Sequence, residues 1–447
     1  MPAASDDLAR LAAEAYIYGY PLVFDTAMVE RCTTDGFGSI PAAPPNTFGH
    51  ATEPATPRDD FVSINNDTLY SIAQLDLSGG PLLLHVPDTA DAYYVLQFVD
   101  LWTNNFAYVG RRATGTAAST YLITPPHWIG SVPDATPVIN APTTRVGIVG
   151  RFACDGPDDA ARVAGLQKQL TLSPLGAAGT LAGLPVPDRE VREDLRFWEQ
   201  LRVLMAAFPP ADPDRAYQRR FAPLGLLHSG ESPYRDTPDG LADALRAGMA
   251  AGKARVEAYG KDPGSDPSGS RWIMSMHAFD YNLDHLGLGT VDSPQWKIAD
   301  RTDSYLDRAS AARMGLWGNH AYEALYAQTF VDANGDTLDG SRAYTLTFGE
   351  PPPVEAFWSV TMYNVPDYYL VDNAINRYSI GDRTEGLVYG DDGSLTLHLQ
   401  HGKPIEGEEA NWLPTPSGAF RPMIRLYQPG AALLDGKYRL PDIVPTP

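Results

Sequence analysis

The stretch Ile64–Tyr70, "INNDTLY", places two amides, a carboxylate, a hydroxyl and a phenol at the mouth of a strand-like run. Asn and Asp are poor strand formers, so their presence there needs a reason. Asp67 has the chemistry of a general acid or base, with Tyr70 beside it, and Asn65, Asn66 and Tyr70 can orient a substrate through its carbonyl or hydroxyl groups. The plainer alternative is an Asx turn that opens the strand. One Asn or Asp would suffice for that, and this stretch carries three.

A second set of chemistry-bearing residues lies near the C-terminus. In "RPMIRLYQ", strand alternation puts Arg421, Met423, Arg425 and Tyr427 on one face and Ile424 and Leu426 on the other. If the apolar pair packs inward, Arg425 and Tyr427 face something polar. Arg377, in "NRYSIGDR", is a second guanidinium that could join Arg425 in holding a carboxylate or phosphate, and Asn411-Trp412 could add an amide and an indole wall. The alternative is bracing: both arginines tying strands together through carbonyls and acidic partners.

Other constellations are weaker. His277 and His285 with Asp280, Asp284 and Asp292 are proper metal-ligand types, but their spacing fits no specific motif. On a helix, His285 would point roughly 100° away from His277 and Asp284. No metal site is therefore expected. "VDANGDTLDG" imitates the start of a calcium loop, yet has Thr337 and Ala343 where such a loop needs Gly and Glu. A tight hairpin around Asn334-Gly335 is the expectation there. The sequence contains no G-x-S-x-G, no catalytic-cysteine pattern, no G-x-G-x-x-G and no P-loop. What remains is cofactor-independent acid–base chemistry. The two cysteines, Cys32 and Cys154, read as free buried thiols.

The elements that must position these residues are mostly short. The 447 residues include 40 Gly and 39 Pro, which favours turns over long helices. A helix from Ser5 is expected to kink or break at Gly19 and Pro21. After a proline-rich loop, strand-like runs recur every 8–14 residues or so, from "TLYSIAQLD" to "RVGIVGRFAC", as in a sandwich or barrel. Helices are expected from about 156, near 188–208 and near 238–259. A further helix from about 304 leads into a second β-rich block. The chain thus divides into an N-terminal β-rich lobe with a leading helix (1–155), a helical middle segment belonging to that lobe (156–303) and a C-terminal domain (304–447). The fold class is α+β and β-rich.

A net charge of −21, from 34 Lys and Arg against 55 Asp and Glu, argues against nucleic acid and anionic membrane surfaces as partners. No apolar run is long enough to span a membrane. "MPAASDDLARLAAEAY" lacks the basic and apolar regions of a signal peptide. The chain as written is expected in the cytoplasm, or exported if a leader was removed. Tyr 23 and Trp 8 more readily fill β cores and subunit contacts than a cleft, which allows a homo-oligomer.

"AYIYGYPLV", "NNDTLYSIAQLDLS", "GRFACDGPDDAARVAGLQKQLTLSPL" and "FWEQLRVLMAAFPP" resemble the bacterial domain of unknown function 1254. "GNHAYEALYAQTFVDANGDTLDGSRAYTLTF", "PPPVEAFWSVTMYN", "DGSLTLHLQ" and "NWLPTPSGAFRPMIRLYQP" resemble its usual companion, domain of unknown function 1214. The resemblance covers nearly the whole chain in motif order. It implies two lobes, the second a jelly-roll-like β-sandwich, and implies no chemistry. The leading functional expectation is a hydrolase or lyase acting on a small polar or aromatic metabolite between the lobes. Asp67 and Tyr70 would be catalytic, and Asn65, Asn66, Arg377, Asn411, Trp412, Arg425 and Tyr427 would bind substrate. The alternatives are a non-catalytic binder of a small ligand or carbohydrate, and a structural or surface-assembly protein.

Overall fold

The computed structural model describes residues 2–59, 63–261, 270–274 and 276–446. Along the N-terminal part run β1 (Phe48–His50), β2 (Thr68–Asp76), β3 (Leu82–Val86), β4 (Tyr94–Asp100), β5 (Asn105–Gly110), β6 (Ser119–Thr124), β7 (Val138–Asn140), β8 (Arg145–Ala153) and β9 (Thr171–Pro174). They form two open sheets, ordered β1-β2-β8-β4-β5 and β7-β6-β3-β9. Alternation explains their stacking. Leu69, Ala73, Leu75, Leu96, Phe98, Val146, Ile148 and Phe152 point one way and share a core with Leu82, Leu84, Val86, Tyr121 and Ile123 of the second sheet. The lobe is therefore a sandwich, not a closed barrel.

The C-terminal lobe repeats the scheme with β10 (Ile273–Met274), β11 (Ala324–Gln328), β12 (Tyr344–Phe348), β13 (Val354–Asn364), β14 (Ser379–Gly381), β15 (Leu395–Gln400), β16 (Trp412–Pro414), β17 (Phe420–Pro429) and β18 (Ile443–Pro445). Its sheets run β10-β11-β17-β13-β14 and β16-β15-β12-β18. Leu325, Ala327, Trp358, Val360, Met362, Ile424 and Leu426 face Leu346, Phe348, Leu395, Leu397 and Leu399 across a single core. The expected hairpin forms: Asp332 accepts from the amides of Asn334 (2.9 Å) and Asp336 (3.0 Å), and Gly335 takes φ 87°. Two short strands cross the boundaries expected from sequence. β9 pairs with β3 of the first lobe, and β10 pairs with β11 of the second.

Helices α1 (Pro2–Thr34), α2 (Ala160–Gln167), α3 (Arg196–Ala207), α4 (Arg215–Arg219), α5 (Asp239–Lys261), α6 (Arg301–Gly315) and α7 (Ala431–Leu434) complete the chain. The expected break in α1 is not found. The helix starts at Pro2, ahead of Ser5, and runs unbroken through Gly19 and Pro21. Tertiary packing overrides the local signal: a Cβ on Gly19 would lie 2.4 Å from the Leu201 methyls of α3. Tyr18, Leu22, Trp198, Leu201 and Leu245 form a shared helical core. Asp300 caps α6, accepting from the amides of Thr302 (2.7 Å) and Asp303 (3.2 Å). Cys32 and Cys154 are free and buried, and burial pushes each thiol up to about 11. Among the described residues no helix is long and apolar enough to cross a membrane.

One sheet from each lobe keeps a polar face. On β17, β13 and β11 that face carries Tyr427, Arg425 and Arg421, Ser359, Thr361 and Tyr363, and Tyr326. On β2, β8 and β4 it carries Tyr70, Arg151 and Gln97. The two polar faces meet in the seam between the lobes.

Candidate functional site

The Asx turn expected in "INNDTLY" forms. Asn65 makes the Asx turn, its Oδ1 accepting from the Asp67 amide at 2.8 Å. That leaves the Asp67 side chain free to reach across the seam. Its Oδ1 accepts from the Tyr427 hydroxyl at 2.8 Å, and its Oδ2 accepts a very short bond from the Ser359 hydroxyl. Asn65 Nδ2 donates to Thr68 Oγ1 (2.8 Å) and to the Tyr427 oxygen (2.7 Å). Burial, and then the Asp67 carboxylate, push the Tyr427 phenol well above its ordinary value, so it keeps its proton and remains the donor. Asn66 accepts from Ser379 Oγ (2.9 Å) and donates to the Ala55 carbonyl (2.6 Å), fixing the other side of the turn.

Three guanidiniums on these facing sheets are each at most 5% exposed: Arg151, Arg421 and Arg425. Arg425 donates to Thr361 Oγ1 (2.8 Å), the Ser63 carbonyl (2.8 Å) and the Tyr363 hydroxyl (2.7 Å). Ser63 sits in the left-handed region at φ 56°, in the bend that carries this carbonyl. Arg421 donates to Gln328 Oε1 (2.8 Å) and Ser63 Oγ, and lies over the rings of Tyr363 and Tyr368. Arg151 donates to Gln97 Oε1 (2.9 Å) and the Trp317 carbonyl (2.8 Å), with Asn319 Oδ1 at 3.5 Å and the Tyr70 ring against it at 5.3 Å. Among the described residues no carboxylate lies within 4.0 Å of any of the three. Burial would lower Arg425, but Tyr363 and Asp67 outweigh it and hold Arg425 above its ordinary value. For Arg421, burial outweighs the opposing Tyr363 and, reinforced by the neighbouring Arg425, pulls it down to about 10.

The comparisons fall on the elements that build this seam. Residues 45–174 match the family model described as a protein of unknown function, DUF1254, and residues 323–431 match that of a second protein of unknown function, DUF1214. The chain thus carries a DUF1254 region followed by a DUF1214 region. The VPA0106 protein of Vibrio parahaemolyticus has the same fold, with a TM-score of 0.75 over 98% of this chain and 100% of that one at 23% identity. A protein from Burkholderia cenocepacia aligns over 99% of this chain and 96% of its own at 10% identity, with a TM-score of 0.45. No curated protein matches the chain. Asp67 comes from the first matched region, and Ser359, Arg425 and Tyr427 come from the second.

The structure brings together Asn65, Asn66, Asp67, Arg425 and Tyr427, and places Tyr70 beside Arg151 at the same seam. Arg377, Asn411 and Trp412 are engaged elsewhere. The Arg377 guanidinium donates to the carbonyls of Glu409, Ala410 and Trp412 at 2.9–3.0 Å. The Asn411 amide is held by Val388 and Thr396, and the Trp412 indole donates to the Gln400 carbonyl. These bonds brace loops against strands.

The histidine–aspartate stretch is likewise occupied. His277 pairs with Asp280 (2.7 Å), Asp284 is bidentate with Arg301 (2.7 Å twice), and Asn282 donates to the carbonyls of Asn105 and His285. Among the described residues no cluster of His, Cys, Asp or Glu is arranged to hold a metal.

Sequence reasoning missed Arg151, Ser359, Tyr363, Tyr326 and Asn319. Arg151 had a signal, being a charge inside the apolar run "RVGIVGRFA". Also missed was the adjoining cluster of Glu323, which accepts from Tyr93 (3.0 Å) and Arg112 (2.5 Å).

Proposed function

We propose that this protein is a cofactor-independent enzyme that binds a small anionic metabolite between its lobes and acts on it with Asp67 as the acid–base group. The observation that carries this reading is the charge imbalance of the seam. Among the described residues Arg151, Arg421 and Arg425 are buried without an ion-pair partner, in a chain whose net charge is −21. Buried charges are normally paired, and a bound oxyanion would supply the missing partner. Tyr70, Tyr326 and Met423, on the polar faces of their strands, are only partly buried. Asp67, held by Tyr427 and Ser359, keeps a lone pair on each oxygen for a proton from substrate or water and can return it to a leaving group. Such chemistry fits a hydrolase or a lyase.

The second reading is a binder without turnover, favoured by one feature: both Asp67 oxygens already accept a hydroxyl. A thermal-shift screen of anionic metabolites, followed by turnover assays on the stabilising ligands, separates the two. Asp67→Asn is expected to keep binding and to lose turnover by at least a hundredfold. Unchanged turnover in a folded Asp67→Asn would sink Asp67 as the acid–base group. Unchanged binding in Arg425→Gln would sink the site.

A further inference from the structure

We infer that the groove between α1, α3, α5 and α6 is a second ligand site, which takes the hydrocarbon chain of a free long-chain fatty acid and holds its carboxylate at Lys253 and Arg313. None of its lining residues belongs to the polar faces of the seam, so the site does not depend on the anion-binding reading above.

Helix α1 is apolar on two sides. Tyr18 and Leu22 belong to the helical core. Tyr16, Tyr20, Val23, Phe24 and Ala27 recur at helical spacing along a second stripe. A helix that is apolar on two sides needs cover on both. The second stripe instead lines an open groove of about 660 Å³, to which α3 adds Phe197 and α5 adds Met249. Tyr20, Val23, Phe197 and Met249 pack against the core yet stay only partly buried. The volume falls within the roughly 300–1,000 Å³ of small-molecule sites, which are likewise mostly apolar and aromatic with a few polar groups.

The shape of the lining suits a chain. From Tyr16 to Ala27 the stripe runs about 16 Å along the helix axis. Rings follow one another along it, Tyr16 lying 4.8 Å from Phe197 and 5.6 Å from Tyr20, and Tyr20 5.4 Å from Phe24, between centroids. An extended hydrocarbon would bury both its own apolar surface and that of the stripe.

The charged lining residues decide the head group. Among the described residues they are Lys253 of α5 and Arg313 of α6 against one carboxylate, Glu257. Arg313 meets Glu257 only loosely, at 3.9 Å between partly exposed side chains. Lys253 is exposed and, among the described residues, has no carboxylate within 4.0 Å. The local balance is positive in a chain of net charge −21, which favours an anion here. Aromatic rings can also take a quaternary ammonium, but the two cations oppose one. Lys and Arg stems can lie along apolar surface while their heads stay at the water's edge, the arrangement that a fatty acid's tail and carboxylate require.

Displacement of the fluorescent fatty acid cis-parinarate from the full chain tests the site, with palmitate, hexadecanol and hexadecyltrimethylammonium as competitors below their micelle concentrations. Palmitate is expected to bind about tenfold more tightly than either of the others. Ala27→Trp and Ala250→Trp fill the groove from exposed positions. Each should weaken palmitate by about tenfold with an unchanged urea midpoint. Lys253→Glu should weaken palmitate and leave hexadecanol as it was. The preference of the unaltered protein needs no variant to fold. No uptake of the probe, hexadecanol matching palmitate, or full binding in both Trp variants would overturn the proposal. A dimer in sedimentation that Ala250→Trp dissociates, with no palmitate bound, would overturn it in favour of a second copy of the chain. Binding to phosphatidylglycerol vesicles without uptake of free palmitate would overturn it in favour of a membrane surface.

Discussion

Asp67 shows how much one buried carboxylate can tie together. Its two oxygens take hydroxyls from β17 and β13, while its own carbonyl accepts from Arg383 at 3.0 Å and from the Cys154 amide at 3.2 Å. The residue therefore anchors the first lobe to the second as well as presenting charge to the seam. Tyr427→Phe tests the anchoring role. It removes a donor from Asp67 and an acceptor from Asn65 without changing ring packing against Phe357, whose centroid is 4.1 Å away. Leaving a buried carboxylate short of a donor costs about 1–3 kcal/mol, to be read as a lower urea midpoint. Paired with Asp67→Asn in a double-mutant cycle, the two changes should be non-additive, because they break the same bond. Additive losses would mean that the hydroxyl acts on something other than Asp67.

At the scale of elements, the sequence was informative wherever a pattern repeats within one strand or helix. The alternation in "RPMIRLYQ" put Arg425 and Tyr427 on the correct polar face, because Ile424 and Leu426 had to point into the sandwich. Arg377 and Trp412 were misjudged because a side chain's type does not reveal which carbonyls from distant loops will meet it. Arg151 was missed because its partners, Trp317 and Asn319, are more than 160 positions away. The same limit applies to α5. Its apolar spacing at Leu241, Leu245 and Met249 marked the buried face, but the glycines that let it approach α1 carried no local signal. A Cβ on Gly248 would lie 2.3 Å from the Ala12 Cβ and 2.7 Å from the Ala9 carbonyl oxygen. Gly248→Ala should therefore destabilise by about 1–3 kcal/mol, even though alanine gains about 1 kcal/mol in helix propensity. Gly165→Ala in α2, with nothing within 4 Å of the new Cβ, should instead stabilise by up to about 1 kcal/mol. Urea midpoints of opposite sign check the pair, and a stabilising Gly248→Ala would contradict the α1–α5 contact.

On the scale of the whole molecule, the lobes are joined by polar groups that burial holds in fixed protonation states. His320, between α6 and β11, is 2% exposed, bonds the Tyr108 hydroxyl of β5 through Nδ1 at 2.9 Å and stacks on Tyr322 with centroids 4.8 Å apart. Burial, then the nearby Arg112, pulls it down to about 3 from an ordinary 6.5. The folded value lies below the unfolded one, so the native state binds fewer protons through this window. The stability tied to a neutral His320 is complete above pH 6.5 and is lost as pH falls towards 3. Glu323 and Asp25 act in the opposite sense, since burial raises both carboxyls and the native state holds their protons to higher pH. Total stability therefore mixes the two trends, and the informative quantity is the difference between the unaltered protein and His320→Gln. That variant keeps a hydrogen-bonding side chain facing Tyr108 and removes the titration. Its deficit should be largest at pH 7.5 and should shrink by about 2 kcal/mol by pH 5, at about 1.4 kcal/mol per pH unit below 6.5. Urea titrations of both proteins at pH 7.5, 6.5 and 5 measure it. A deficit constant across those values would mean that His320 takes up its proton in the folded protein, and that this join between the lobes is open to water.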